Sequence, residues 1–236
     1  MNDITYKLTI LLERSPDLEP DEFSERWLEL ERADPVSAPG LVRYVFDRPY
    51  SAASPIAGAT AAPYDAAVET WWRRKNDAAD WVVSRQFEGE WLSRRLPLLA
   101  GRPAAVAGEP KVIWERDPAA TATAVKVLVL PVALRRLRFQ DFVDHWTGTH
   151  ATLALEGPQA KERLVRLEHT PAPLQPPARF ERTRFDGVGA ITFESADALT
   201  AEFGSDRYRS VLAPDEARFT DAAYSAAFVT TPVELG

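Results

Sequence analysis

Two stretches decide the fold: Lys126-Val-Leu-Val-Leu-Pro131 and, after a short polar turn, Gln140-Asp-Phe-Val-Asp-His-Trp146. Nearly the same pattern occurs earlier, as Lys7-Leu-Thr-Ile-Leu-Leu12 followed by Asp21-Glu-Phe-Ser-Glu-Arg-Trp27. Lys7 and Lys126, Phe23 and Phe142, Trp27 and Trp146, and Pro39 and Pro158 each stand 119 residues apart. Leu41-Val-Arg43 then matches Leu164-Val-Arg166 at an offset of 123, and Asp65 matches Asp186 at 121. Identities at a nearly constant offset, inside matching hydrophobic patterns, indicate an internal duplication.

Working outward, each copy has the same order of elements. Branched aliphatics predict a first strand over Tyr6 to Leu12 and over Val125 to Val132. An amphipathic helix follows. Pro20 suits its first position, Asp21 and Glu22 favour its positive end, and Phe23, Trp27 and Leu30 share one face. In the second copy Phe142, Trp146, Thr149 and Leu153 do the same. Second strands are expected over Leu41 to Asp47 and Leu164 to His169, and third strands over Ala66 to Trp72 and Val188 to Glu194. Pro/Ala-rich connections, Pro49 to Pro63 and Thr170 to Ala178, lie between them. Second helices are expected from Asp77 to Arg95 and from Ala196 to about Phe203, where Gly204 and Ser205 interrupt. Last strands fall near Val112 to Trp114 and Ala226 to Thr231, with Glu115 to Ala124 as the linker. This is β-α-β-β-α-β twice, the ferredoxin-like unit. One copy spans 1–117 and the other 118–236. Each four-stranded sheet carries helices on one face only, so its bare face must be covered. Val68, Trp72, Leu128 and Ile191 are the residues expected on that bare face. The fold class expected is therefore α+β: two repeats packed sheet to sheet as an intramolecular α/β barrel.

Composition excludes several functions. The 236-residue chain is 45% hydrophobic and 27% charged, the balance of an ordinary globular protein. A net charge of −7 gives no general attraction for nucleic acid or anionic lipid. No apolar run approaches the ~20 residues of a membrane span. The opening residues carry no basic stretch or cleavage site, so no secretory signal is expected and a cytoplasmic location is. The absence of cysteine removes disulfides, thiol nucleophiles and thiolate metal sites together. With only His145, His150 and His169 available, no metal centre is expected. Glycine-rich phosphate loops, G-x-S-x-G and a dinucleotide fingerprint are also missing.

Phe142-Val-Asp-His-Trp146-Thr-Gly-Thr-His150, with Phe185-Asp-Gly-Val188, Phe193-Glu-Ser-Ala-Asp-Ala-Leu199 and Asp215-Glu-Ala-Arg-Phe219, resembles the EthD-like branch of the dimeric α/β barrel superfamily. The likeness is good over 125–231 and loose over 5–100. It implies the barrel fold and a role for the helix histidine, which carries over to His150. It does not imply one reaction, because the superfamily hosts decarboxylases, dehydratases, cyclases, isomerases and cofactor-free monooxygenases. Copy one departs from the pattern, with Glu31 at the position matching His150 and Arg26 at that of His145.

His150 lies on the inward stripe with Phe142 and Leu153, where a titrating imidazole can exchange a proton near neutral pH. The alternative is a buried histidine satisfied by a carbonyl. Glu31 is either a general base with a raised pKa in a dry pocket or a solvated carboxylate at a wet helix end. His145 is expected at the rim of the stripe and His169 at a solvated strand end. Trp146, Phe142, Trp27, Tyr44 and Trp72 are the candidate substrate-contacting residues. Trp71 and Trp72 point to opposite faces of their strand. Asp65 and Asp186 read as turn residues, and Arg135, Arg136 and Arg138 as a solvated turn. The function expected is a cofactor-free lyase or isomerase acting on a small hydrophobic or aromatic molecule through His150. The alternatives are a non-catalytic ligand-binding barrel and a purely structural association module. The chain would be a monomeric pseudo-dimer or a homodimer.

Overall fold

The structure, a computed structural model, describes residues 4–50, 62–116, 123–157, 159–173 and 179–236. Copy one contains β1 (Tyr6–Leu12), α1 (Pro20–Ala33), β2 (Leu41–Pro49), β3 (Ala66–Trp72) and α2 (Lys75–Val82). A π-helical turn (Gln86–Leu92), α3 (Ser93–Arg95), a 3-10 turn (Leu96–Leu98), β4 (Ala104–Gly108) and β5 (Lys111–Glu115) complete it. Copy two contains β6 (Val125–Leu130), α4 (Phe139–Asp144), a π-helical turn (His145–His150), α5 (Ala151–Leu155), α6 (Ala160–Arg163) and β7 (Leu164–Pro171). It ends with β8 (Gly187–Phe193), α7 (Ala196–Phe203), a second π turn (Tyr208–Leu212), α8 (Ala213–Glu216) and β9 (Ala226–Glu234).

The strand order is β4-β1-β3-β2-β9-β6-β8-β7-β5, with every ladder antiparallel. Two ferredoxin-like sheets, β4-β1-β3-β2 and β9-β6-β8-β7, are joined edge to edge. The joints are alike. β9 pairs with β6 through Ala226 to Thr230 and with β2 through Thr230 to Glu234. In the same way β4 pairs with β1 while β5, two residues further on, pairs with β7. Pro110, which has no N–H to donate, separates them. Each copy thus lends the end of its last strand to the other, and the sheet closes on itself without a free edge. At the seam, a Cβ on Gly108 would lie 1.9 Å from the Pro171 carbonyl, so only glycine allows β4 to approach β7. The fold is the expected tandem α+β pseudo-dimer.

Three expectations need correction. The last strand of copy one is not only Val112 to Trp114: Ala104-Ala-Val-Ala-Gly108 forms β4, and the predicted segment lies in the strand extension β5. Alanine and glycine have weak strand preference, so this segment does not announce itself as a strand. The second correction concerns faces. Val68 and Trp72 pack under the helices of copy one, and Ile191 under those of copy two; only Leu128 faces the barrel interior. Strands buried on both faces lack polar/apolar alternation, so the inward phase could not be read from hydrophobicity. Third, α2 stops at Val82 rather than running unbroken to Arg95. The Pro/Ala-rich connections lie largely, and the boundary at 117/118 wholly, outside the described residues.

The interior is charged as well as apolar. Lys7 and Lys126, the pair related by duplication, both point inward and are fully or almost fully buried. Lys7 Nζ lies 2.5 Å from Glu69 and 2.5 Å from Glu168, while Lys126 Nζ lies 2.7 Å from Asp47 and also contacts Glu69. Trp71, on the inner face, donates its indole N–H to Glu168, while Trp72 packs outward on Trp81. Buried ions survive only when paired, and this lattice pairs them across the barrel.

Candidate active site

The sequence predicts one straight helix through His150. The structure inserts a π turn between α4 and α5, covering His145 to His150. In an α-helix, residues five apart point about 140° from each other. A π turn closes i to i+5 and brings them to one side, and such turns are frequent at functional sites. His145 and His150 consequently address the same carboxylate. The inserted residue also changes the phase beyond Trp146: Thr149, expected on the inward stripe, is exposed, and Ala151 is buried instead.

That carboxylate is Asp215 on α8. Its Oδ2 lies 3.0 Å from His150 Nδ1, and its Oδ1 lies 3.0 Å from His145 Nε2. Although burial alone would raise its pKa, the hydrogen bonds from His145 and His150 hold Asp215 below the ordinary carboxylate range. An ionised carboxylate only accepts, so Nδ1 of His150 and Nε2 of His145 carry the protons. The second nitrogen of His150, Nε2, is left with its lone pair facing Glu216 Oε1 at 3.9 Å. Desolvation lowers the pKa of His150, against the Asp215 contact, and so favours this neutral form.

Glu216 has the opposite tendency. Packing around the carboxyl, reinforced by the adjacent Asp215 charge, pushes its pKa up to about 7, although 37% of its side chain is exposed. Tyr208, in the π turn before α8, donates to Glu216 Oε2 at 3.2 Å. Phe219 covers the ensemble, with its ring 5.1 Å from that of His150 and 4.9 Å from that of His145.

The floor is made by β7 and β8. Trp146 stacks on His169 at 4.4 Å between rings. His169 is thus not at a solvated strand end. It is 3% exposed, and burial, with a further contribution from His150, lowers its pKa to about 3. Gly187 and Gly189 on β8 leave space for the Trp146 indole: a Cβ at Gly187 would lie 2.6 Å from Cζ3 of Trp146, and one at Gly189 3.3 Å from Cζ2. Phe142 lies beneath, 5.4 Å from Trp146.

Of the residues proposed from sequence, His150, Trp146 and Phe142 come together here, joined by His145. Trp27, Tyr44 and Trp72 belong to the core of the other copy. There Glu31 accepts from Trp27 Nε1 at 3.0 Å and from Tyr44 Oη at 2.7 Å, and pairs with Arg95 at 2.9 Å. Glu31 is therefore not solvated; it is 4% exposed, and burial raises its pKa despite these partners. Asp215, Glu216, Tyr208, Phe219 and His169 take roles that the sequence did not assign. Asp65 and Asp186 hold turns, through Arg14 and the Ala133 amide respectively. Among the described residues, no group of three or more His, Asp or Glu is arranged to hold a metal ion.

Residues 135–223, which carry this whole constellation, match the EthD domain profile. A search of curated proteins returned no sequence match. Among solved structures, the chain resembles an anthrone oxidase-like protein at 12% identity and a TM-score of 0.62, covering 99% of this chain and 94% of that one. It also resembles a provisionally assigned monooxygenase from Fusobacterium nucleatum subsp. nucleatum (8% identity, TM-score 0.59, covering 100% and 94%). A mutant chlorite dismutase from Candidatus Nitrospira defluvii aligns at 10% identity with a TM-score of 0.54, covering 96% and 91%. At these identities the likeness concerns the fold. No helix among the described residues is long and apolar enough to cross a membrane.

Proposed function

We propose that this protein is a cofactor-independent enzyme that moves a proton on a small hydrophobic or aromatic compound, in a decarboxylation, dehydration or isomerisation, with His150 as general base. One observation carries the reading. Asp215 fixes the tautomer of His150 by accepting from Nδ1, which turns the basic Nε2 toward the partly exposed side of the site. A base held in one tautomer, neutral near pH 7 and backed by an ionised carboxylate, has what proton abstraction requires. Trp146, Phe142 and Phe219, all buried, pack as an apolar shell behind it. Glu31 and its neighbours in copy one act as a sealed buttress, since every oxygen contact there is to a buried donor of the protein itself.

The test begins with thermal-shift screening of aromatic acids and polyketide-like compounds; the name of one structural neighbour makes anthrones natural members of the panel. Compounds that bind are then assayed for turnover. His150→Ala is expected to keep the fold and lower the rate about 10²–10⁴-fold. A His150→Ala protein that turns over the same compound at the wild-type rate removes the proposal.

A further inference from the structure

Resting on that reading, we propose that Glu216 is the acid partner of His150 and that the site takes enolisable ketones, shuttling a proton between the α-carbon and the carbonyl oxygen. The geometry is that of a pair. Glu216 Oε1 lies 3.9 Å from His150 Nε2, close enough for both to reach one bound molecule and on the side away from Asp215. The other oxygen, Oε2, is held by Tyr208 Oη, which leaves Oε1 for a ligand. The two groups come from different elements, the π turn of the histidine helix and α8, so their spacing is set by the packing of the fold rather than by local sequence.

A base and an acid this close need a substrate that gives up and takes up protons at nearby atoms. The α-carbon and the oxygen of a ketone flank a single carbonyl carbon and meet that need. In the forward step the α C–H bond breaks and its proton bonds to His150 Nε2. The electron pair forms the new carbon–carbon double bond. The carbonyl π pair moves to oxygen, which takes the proton of the Glu216 carboxyl. An enol, an imidazolium and a carboxylate result. Return of the proton from Nε2 to Glu216 through the intervening solvent resets both groups, so the cycle is redox-neutral and needs no co-reactant. The charged and titratable neighbours are Asp215 and Arg218 on the α8 side, His145 on the π turn, Tyr208, and His169 from β7. Burial of Glu216 and the neighbouring Asp215 charge keep its carboxyl protonated to about neutral pH, against the Tyr208 hydrogen bond.

The experiment is exchange of α-hydrogens for deuterium, followed by NMR, on a panel of aryl ketones with and without α-hydrogens. The wild-type protein is expected to exchange at least one α-hydrogen-bearing member. Glu216→Gln should slow that exchange about 10²–10⁴-fold while ketone binding, read by thermal shift, changes only a few-fold. Tyr208→Phe removes a donor that stabilises the carboxylate, so the basic limb of the pH–rate profile should move to higher pH; a merely structural Tyr208 would not move it. If His150→Ala abolishes exchange while Glu216→Gln and the Tyr208→Phe profile match wild type, this proposal fails and the His150 reading stands. If the wild-type protein binds ketones but exchanges none, the substrate class is wrong. If exchange survives His150→Ala unchanged, both readings fall.

Discussion

Gly187→Ala is the substitution whose consequence can be worked out most completely. Gly187 lies at the start of β8, directly under the Trp146 indole. An added Cβ would meet Trp146 Cζ3 at 2.6 Å, the Thr170 carbonyl oxygen at 2.8 Å and Trp146 Cη2 at 2.9 Å. All three are closer than real carbon contacts allow. The Thr170 oxygen is backbone of the neighbouring strand and cannot rotate away. The indole is wedged between β8 and the His169 ring, 4.4 Å away, so it can retreat only by breaking that stack. Overpacking of this kind costs about 1–3 kcal/mol. For a chain of this size that corresponds to a Tm lower by roughly 2–12 °C. Differential scanning calorimetry reads it directly. The internal control is Gly148→Ala in the π turn, where a Cβ meets nothing within 4 Å, and which should be neutral or stabilising by up to about 1 kcal/mol. A double variant, Gly187→Ala with Trp146→Ala, should recover part of the coupling but not the Thr170 share. Should Gly187→Ala melt with the wild type, the placement of Trp146 over that strand, and with it the floor of the site, is wrong.

The remaining predictions concern charge. Asp215→Asn presents an amide N–H to His150, which favours the tautomer with the proton on Nε2; the rate should drop about 10²–10⁴-fold with little change in Tm. His169, with its pKa lowered from 6.5 to about 3 by burial, is neutral in the folded state while its unfolded form binds a proton below pH 6.5. Its contribution is therefore fully present above pH 6.5 and is lost as the pH falls toward 3, with a limiting slope of about 1.4 kcal/mol per pH unit. His169→Phe should flatten that acid limb in denaturant titrations. Arg95→Met leaves Glu31 buried without its cation and should cost about 3–5 kcal/mol by urea unfolding. Lys7→Met removes the cation shared by Glu69 and Glu168 but leaves them Lys126 and Arg166, so it should also destabilise, by less than Arg95→Met; a near-neutral result would contradict the buried lattice.

The duplication was readable because its landmarks are residues that tolerate little change of surroundings. Lys7 and Lys126 are the interior cations, and Phe23, Trp27, Phe142 and Trp146 are the helix residues that seat on the sheet. The histidine helix was readable for the same reason. What was not readable follows from geometry that hydrophobicity does not encode. A π turn has no composition of its own, so the helical wheel drawn at 100° per residue placed Thr149 inward and His145 at the rim. Asp215 and Glu216 stand in the sequence only as part of a segment that resembles the EthD-like pattern, and nothing local shows that they meet histidines 65 or more residues away. His169 looked solvated because a strand end before a proline-rich loop usually is. One signal was available: the alternation Gly187-Val-Gly189 leaves one face of a strand bare, where only a large flat side chain or a ligand can lie.

The two copies also explain why one of them can work and the other cannot. The duplication offsets align Glu31 with His150, and Arg95 with Asp215 at 120 residues. Both copies therefore keep a hydrogen-bonded pair of ionisable residues between the first helix and the end of the second, but with the carboxylate on opposite members. In copy one the anion is on the first helix, and its partner Arg95 is almost wholly buried, with its guanidinium against the Trp27 and Trp91 rings. Tyr44 closes the remaining space, donating to Glu31 and accepting from Trp91 Nε1 at 2.9 Å. At the matching positions copy two has Leu167 for Tyr44 and Val211 for Trp91, with Gly187 and Gly189 for Ala66 and Val68. Each exchange removes bulk or a hydrogen-bond donor. The matching position is locked by four aromatic and cationic groups in one half; in the other Asp215 is buried, but the His150 side chain keeps 13% of its exposure and the neighbouring Glu216 37%. Had both halves kept the bulk of copy one, the barrel would gain packing and lose its titratable pair. Had both kept the glycines, the first helix of each would rest on a thinned sheet. Dividing these roles between a packed half and an open half lets one closed barrel carry a site that is held rigidly by its own duplicate.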